Sequence, residues 1–547
     1  MHDKDKKFAQ CLISYGGACI TLTVTPWMNL DPINLPKFIL LVVLAFGTFA
    51  FCVQKKVIVS NRLRGLKILS LLYILILLLV CVLAPGWNVQ QIFGAYGRNT
   101  GFITQSSFLL LFVMAAVLAD KPFVALVKRA LIMSGTLSLV YGLVQFLDFD
   151  PAPWFNPDNP IIGFLGNSNF QSAFLGMCVC LVLPSILTQT STNYVWLSQI
   201  GFAVISIFVI IQSSSVQGIF VVLVGSVLAL LIKWYRSGSL NLVMLTIATF
   251  VFTSIIFVLG MFNLGPLAKV IFQGTVIARY EYWQAAIRMA INHPFFGVGL
   301  DSFGDHYLRF RSESAMLRRD VVTDSAHNLF LEQFSTGGVF LGLLYLGLSV
   351  LTLRSCVRLI KKLGTDTPTF GVICAWFGYV SQSMVSIGQI GIATWGWILS
   401  GLIIGLDTVA EEFTISQNGR LKSRTKVNTS KLVQFSIGSL LGFSSAILPF
   451  YADLKFYSAV KSSSSIDLFN ASRVPATPSR IQVRIADVLG ENGLLESSLE
   501  ILIRVVRQNP DSYEAWELIS RNEYADSSLK NIAVQNLRRL EPNKKFS

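Results

Sequence analysis

His327 and Asn328 stand where a polar loop becomes a long apolar stretch, in Thr323-Asp-Ser-Ala-His-Asn-Leu-Phe-Leu-Glu332. The chain has four histidines, and two of the others, His293 and His306, fall in the same loop. An unperturbed imidazole titrates near pH 6.5, so His327 suits a general base that takes a proton from a hydroxyl. Asp324 and Ser325 are available N-caps for the helix that follows, whose dipole would favour the neutral ring. The competing reading is a capping or interfacial histidine. Arg98 and Arg279 lie in polar segments beside apolar ones, and a guanidinium holds an anion in a two-bond fork that lysine lacks. Their competing role is to anchor loops to lipid headgroups. No acid stands at helical spacing to occupy either arginine fully, although Glu281, Asp301 and Asp305 are near in sequence. Glu332, one turn into the apolar stretch, is a functional candidate by its placement, or else a partner that positions one of these arginines.

The elements that must carry these groups are membrane helices. Of the 547 residues, 53% are hydrophobic and only 14% charged. About thirteen apolar stretches approach the roughly 20 residues a bilayer crossing needs. They are 9–30, 35–54, 65–84, 103–119, 122–147, 165–187, 194–211, 217–233, 239–263, 328–353, 366–387, 391–408 and 433–451. Continuous apolar runs of this length predict helices, whereas a barrel alternates over about ten residues. The fold class expected is an all-α polytopic membrane protein with a small helical C-terminal segment. No small-residue cleavage site follows the first stretch, so it reads as a retained helix. The basic clusters Lys55–Lys67, Lys121–Arg129, Lys233–Arg236, Arg354–Lys362 and Arg420–Lys431 all fall on one side of that arrangement. With the N-terminus cytoplasmic, the positive-inside rule makes it the cytoplasmic side. The net charge of +14 is thereby explained without a nucleic-acid partner. The eight cysteines lie in or beside apolar stretches and form no disulfide or zinc framework.

This topology places residues 1–452 in a membrane domain, with a large extracytoplasmic loop over about 264–327 and a helical extracytoplasmic domain over 453–547. Within the loop, Ile277, Tyr280, Trp283, Ala286, Ile287 and Ala290 recur at spacings of three and four. They predict a helix over Val276–Ile291 with one apolar face, able to lie at the membrane surface. Residues 486–516 resemble a tetratricopeptide repeat, with a degenerate second unit over 511–540. The module would bind an acceptor or partner, or act as a structural cap. The Asp150–Pro160 loop, rich in proline and carrying Trp154 and Phe155, would wall a site or simply connect helices. Glu411 and Glu412 read as a solvated pair. No metal-ligand cluster or nucleotide-binding loop is present, so no cofactor is expected.

Four segments carry a family resemblance across roughly residues 90–410. They are Gly97-Arg-Asn-Thr-Gly101; Gly166-Asn-Ser-Asn169; Arg279-Tyr-Glu-Tyr-Trp283 with His293-Pro-Phe-Phe-Gly-Val-Gly-Leu-Asp-Ser-Phe303; and Ala326-His-Asn-Leu-Phe-Leu331 with Gly337-Gly-Val-Phe-Leu-Gly342. In order and spacing they resemble the O-antigen ligase and polymerase superfamily of bacterial membrane glycosyltransferases. The resemblance implies metal-independent, inverting transfer of a glycan from an undecaprenyl-pyrophosphate carrier to an acceptor hydroxyl at the outer face of the cytoplasmic membrane. The acceptor would be a glycan, lipid or protein. It implies His327 and Arg279 as catalytic residues, with Arg98, Arg279 and Arg288 on the pyrophosphate. Asn328, Glu332, Asn167, Asn169 and Gln217 would support them. The chain departs from the family at Val216-Gln217, where many members carry Ser-Arg. Arg288, Arg309 or Arg311 would then supply the missing guanidinium. The alternative class is a transporter or flippase of lipid-linked sugars, which would need polar residues deep in several helices or matched broken helices.

Overall fold

The computed structural model describes residues 3–55, 63–86, 88–152, 154, 159–261, 263–266, 268–272, 274–313, 315, 322–362, 367–415, 431–542 and 544. Lys56, Arg62, Phe155 and the basic stretch 420–430 lie outside the described residues. Among those described, every long element is a helix. In chain order they are α1 (Asp3–Leu22), α2 (Asn34–Gln54), α3 (Arg64–Leu83), α4 (Asn88–Phe93), α5 (Phe102–Val117), α6 (Lys121–Phe146), α7 (Ser168–Thr188), α8 (Asn193–Gln212), α9 (Val216–Arg236), α10 (Leu240–Met261) and α11 (Ala268–Ile271). Then follow α12 (Gly274–Asn292), α13 (Phe303–Phe310), α14 (Leu329–Lys362), α15 (Thr367–Ser383), α16 (Ile390–Ile415) and α17 (Lys431–Ser462). The C-terminal helices are α18 (Ser465–Ser472), α19 (Ser479–Glu491), α20 (Leu495–Gln508), α21 (Tyr513–Arg521) and α22 (Ser527–Leu540).

Ten described helices are long and apolar enough to cross a membrane: α2, α3, α6 to α10, α14, α16 and α17. At the other three expected positions stand α1, whose first turns are charged, and the shorter α5 and α15, of 16 and 17 residues. The chain is a polytopic, all-helical membrane protein.

Small residues set the closest helix pairs, because lipid offers no hydrophobic drive between apolar helices and contact depth decides. Gly401 and Gly405 bring α16 against the Phe112 and Ala116 carbonyls of α5. Gly438 and Gly442 bring α17 against the Phe46 and Val42 carbonyls of α2. Trp397 fills the middle, with Phe108, Phe112, Tyr73 and Tyr345 rings centred 5.7 to 6.1 Å away. At the end where α1 begins, ion pairs tie Asp5 to Lys55 and Lys431, and Asp120 to Lys6.

At the opposite end, α17 runs unbroken through residue 452, the expected domain boundary. Core membership changes there: Ala446 belongs to the membrane core, whereas Phe456 and Ala459 join a second core with Ile485, Leu502, Val505, Trp516 and Ile519. The C-terminal helices form two pairs, α19 with α20 and α21 with α22. Helix α12 covers the expected span, but its buried face is Tyr282, Ala285, Ala286 and Met289. Tyr280, Ile287 and Ile291 are exposed instead. Both flanks of this helix are apolar, and the partners α13 and α14 select the one that packs.

Candidate active site

The site forms where three segments distant in sequence are stitched together by hydrogen bonds. Helix α14 is broken at Gly338, whose φ of +72° is open to glycine at little cost. A side chain there would strike the Phe295 carbonyl. The carbonyls that the break frees are taken up by the preceding loop. Val298 N–H donates to Ser335 O (2.9 Å) and Gly299 N–H to Thr336 O (3.0 Å). Val339 N–H donates to Pro294 O (2.7 Å). An interrupted helix in an apolar setting survives only when such groups are satisfied again. Gly297 and Gly299, also at positive φ, let the loop approach this closely. The two longest family-like segments are thus one structural unit.

Asp301 joins the first segment to that unit. Its carboxylate accepts the N–H groups of Ala95 (2.8 Å) and Thr100 (3.0 Å). Arg98, whose side chain is 5% exposed, is enclosed by acids from elsewhere. It meets Glu332 at 2.7 Å, Asp301 at 3.4 Å and Asp324 at 3.8 Å, and donates to the Asp324 carbonyl at 2.6 Å. Burial opposes its charge, but these carboxylates outweigh burial and hold the guanidinium above its ordinary value. The arginine expected on the pyrophosphate is therefore occupied, by acids that helical spacing along its own segment does not reveal. Glu332 takes the partner role that its sequence position allowed.

Ser325 links that cluster to the imidazole. Its hydroxyl donates to Glu332 (2.7 Å) and accepts the His327 N–H (3.1 Å). His327 has a φ of +50°, a strained conformation for a histidine. Its Nδ1 lies 3.3 Å from the Ser325 carbonyl, which can only accept. The proton then sits on Nδ1, and Nε2 keeps a lone pair. Burial, followed by the Arg279 and Arg98 charges, pushes its pKa down to about 4. The cap of α14 is Asn328, whose side chain accepts the Leu331 N–H at 3.1 Å; Asp324 and Ser325 are used elsewhere.

Tyr282 bridges to the second arginine. Its ring centre lies 5.0 Å from that of His327, and it stands one turn after Arg279 in α12. Arg279 differs from Arg98. Among the described residues no carboxylate pairs with it, and its buried Nε has no partner. Burial alone pulls its pKa below the ordinary value. A desolvated guanidinium without a counter-ion is a site waiting for an anion.

The remaining expected residues stand apart. Arg288 is exposed and donates to Phe310 O (3.2 Å). Nine residues along a helix is a rotation of about half a turn, so Arg288 and Arg279 leave opposite sides of α12. Arg311 pairs with Glu541, and Arg309 lies over the Phe310 ring. Asn167 caps α7, and Asn169 accepts from Ser215, which also accepts from Ser172. Gln217 is buried close by, with its Oε1 unpartnered. This corner reaches the site through the turn before α16, where Gly391 packs on Leu165 and Gly388 on Leu329, and through Ile33 and Asn34, where Gly166 packs on Ile33 and Asn34 donates to Gly97 O (2.6 Å). Sequence reasoning missed Tyr282 altogether, and named Ser325 and Asp301 only as an N-cap and a nearby acid rather than as links of the site. Asp301 carried a signal, as an acid closing the glycine-rich Gly297–Leu300 turn; Ser325 and Tyr282 had none beyond adjacency. Among the described residues, no group of three or more His, Cys, Asp or Glu is arranged to hold a metal.

Residues 201–346 match a family model described as O-antigen ligase. The match includes Gln217, Arg279, Arg288, His327, Asn328 and Glu332, and leaves out Arg98, Asn167 and Asn169. It supports the O-antigen ligase and polymerase superfamily as this chain's relatives. No curated protein matches the chain.

Proposed function

From the O-antigen ligase match and the site that lies within it, we propose that this membrane protein transfers a glycan from a polyprenyl-pyrophosphate carrier to an acceptor hydroxyl. The observation that carries the reading is Arg279, half-buried with no carboxylate partner among the described residues, whose charge bears on a neutral His327 that packs on Tyr282. The His327 Nε2 takes the acceptor proton as the hydroxyl oxygen attacks the anomeric carbon. The bond from that carbon to the pyrophosphate oxygen breaks, and Arg279 stabilises the departing charge. In-line attack inverts the anomeric centre. Arg98 acts behind this pair as a positioning residue, fixing Glu332, Ser325 and through them the His327 loop. The basic clusters at the far end of the bundle support a site on the outer face of the cytoplasmic membrane, as the positive-inside rule expects. The acceptor is a hydroxyl-bearing glycan, lipid or protein that reaches the site next to the C-terminal module.

The test is purified protein in detergent, given lipid-linked glycan and acceptor. Product formation that is lost in His327→Ala and in Arg279→Ala is expected. A flippase makes no product in detergent, and full activity in both variants would sink the assignment.

A further inference from the structure

The C-terminal module meets the site loop along a seam of buried charges. Arg311 and Glu541 form an ion pair in which each side chain is 2% exposed. Asp305 accepts from Gln90 (3.1 Å) and from Asn509 of the module (3.3 Å). His306 faces Asp511 at 3.5 Å, and Tyr96 donates to Asp453 of α17. Ion pairs this deeply buried are sensitive to geometry, because an unpaired charge left behind is costly. The seam therefore fixes α13 and the residues after it in one place.

That place is connected to the chemistry. Ser312, next to Arg311, donates to the Glu281 carboxylate. Glu281 lies between Arg279 and Tyr282 in the second turn of α12. Tyr307 of α13 packs edge-on against Tyr282 (5.7 Å), which in turn contacts His327. Two routes thus run from the module to the two groups assigned to the reaction, one polar and one aromatic.

We propose that the C-terminal module is a positioning element of the active site, in which Glu541 holds Arg311 and, through Ser312 and Glu281, sets the register of Arg279 and Tyr282 against His327. The proposal rests on the functional reading above. Misplacement of a reacting group by about 1 Å costs on the order of a hundredfold in rate, so loosening this seam lowers kcat roughly tenfold to a hundredfold.

The experiment uses the full chain in lipid nanodiscs, with transfer kinetics per folded molecule and amide exchange measured on the same samples. Glu541→Ala is expected to lower kcat in that range and raise exchange over residues 303–312. Glu541→Gln, which still accepts from Arg311, is expected to recover most of the rate. Arg473→Ala removes an exposed pair with Glu500 inside the module and is expected to change neither readout. Ser312→Ala leaves the Arg311–Glu541 pair intact and is expected to reproduce the kcat loss; if Glu541→Ala does not fold, this variant decides. The proposal is overturned if Glu541→Ala raises exchange while kcat stays within twofold. It is equally overturned if kcat falls with exchange unchanged, or if Ser312→Ala has the wild-type rate. A fully active His327→Ala in the same series would instead remove the functional reading.

Discussion

Arg98 is buried and Arg279 half-buried, and replacing them is expected to act differently, the first on stability and the second on activity. Arg98→Ala leaves Glu332 and Asp301, with side chains 6% and 1% exposed, as unpaired carboxylates. At 2.7 Å and an effective dielectric of 20, the Arg98–Glu332 attraction alone is about 6 kcal/mol before desolvation is counted. After that offset, breaking a buried pair costs about 3–5 kcal/mol, enough to lower the unfolding temperature by many degrees or prevent folding. Arg279→Ala removes a half-buried cation with no carboxylate partner among the described residues, so the free protein is expected to keep its stability or gain some. What it loses is the contact with the donor. Two charge-assisted hydrogen bonds at about 1.5–3 kcal/mol each come to about 3–6 kcal/mol, or roughly 100-fold to 20,000-fold in kcat/KM. Arg279→Lys keeps the charge without the fork and is expected to fall between wild type and alanine. The assay pairs thermal unfolding in detergent, without donor, with transfer kinetics. If Arg279→Ala unfolds as early as Arg98→Ala, Arg279 has a hidden structural partner and is not the anion site. If Arg98→Ala keeps wild-type stability, the charge cluster is not what holds the His327 loop.

The depressed His327 pKa keeps the ring neutral far into acid, so the acid limb of kcat/KM is expected near pH 4; a limb near the ordinary 6.5 refutes the burial argument. By linkage, this depressed group contributes stability that is present above pH 6.5 and lost as pH falls through about 4, which pH-dependent unfolding can follow. Gly338→Ala forces a side chain onto the Phe295 carbonyl at a positive φ that favours glycine, at a backbone cost of about 1–3 kcal/mol before the clash is added. Size-exclusion profiles should show a lower folded yield for that variant, and a wild-type yield would mean that the break in α14 can heal. Ser325→Ala removes a donor from Glu332 and an acceptor from the His327 N–H. A loss of about 1–3 kcal/mol is expected. Its activity should fall less than that of His327→Ala, and an equal loss would make the hydroxyl part of the chemistry.

Much of this arrangement is legible in the primary structure, because some physical requirements act locally. A bilayer demands long apolar runs, and these mark where the membrane helices lie. The GxxxG spacings at 401–405 and 438–442 mark two close helix contacts. Glycines at 297, 299 and 338 mark backbone that must turn or approach closely, and His327 at the start of an apolar run stands out by rarity.

Charge pairing is not local. Arg98 meets Glu332 across 234 residues and Arg311 meets Glu541 across 230, so no spacing rule along one helix reveals either pair. Arg98 and Arg279 look alike in the sequence, as arginines in polar segments beside apolar ones. Only the folded chain surrounds the first with three carboxylates and, among the described residues, leaves the second with none. The sequence by itself determined a helical membrane protein with His327 and Arg279 in family-like segments. The tertiary structure decided which arginine is ringed by carboxylates, because electrostatic energy depends on distance in space and on burial, and neither is written in the order of residues.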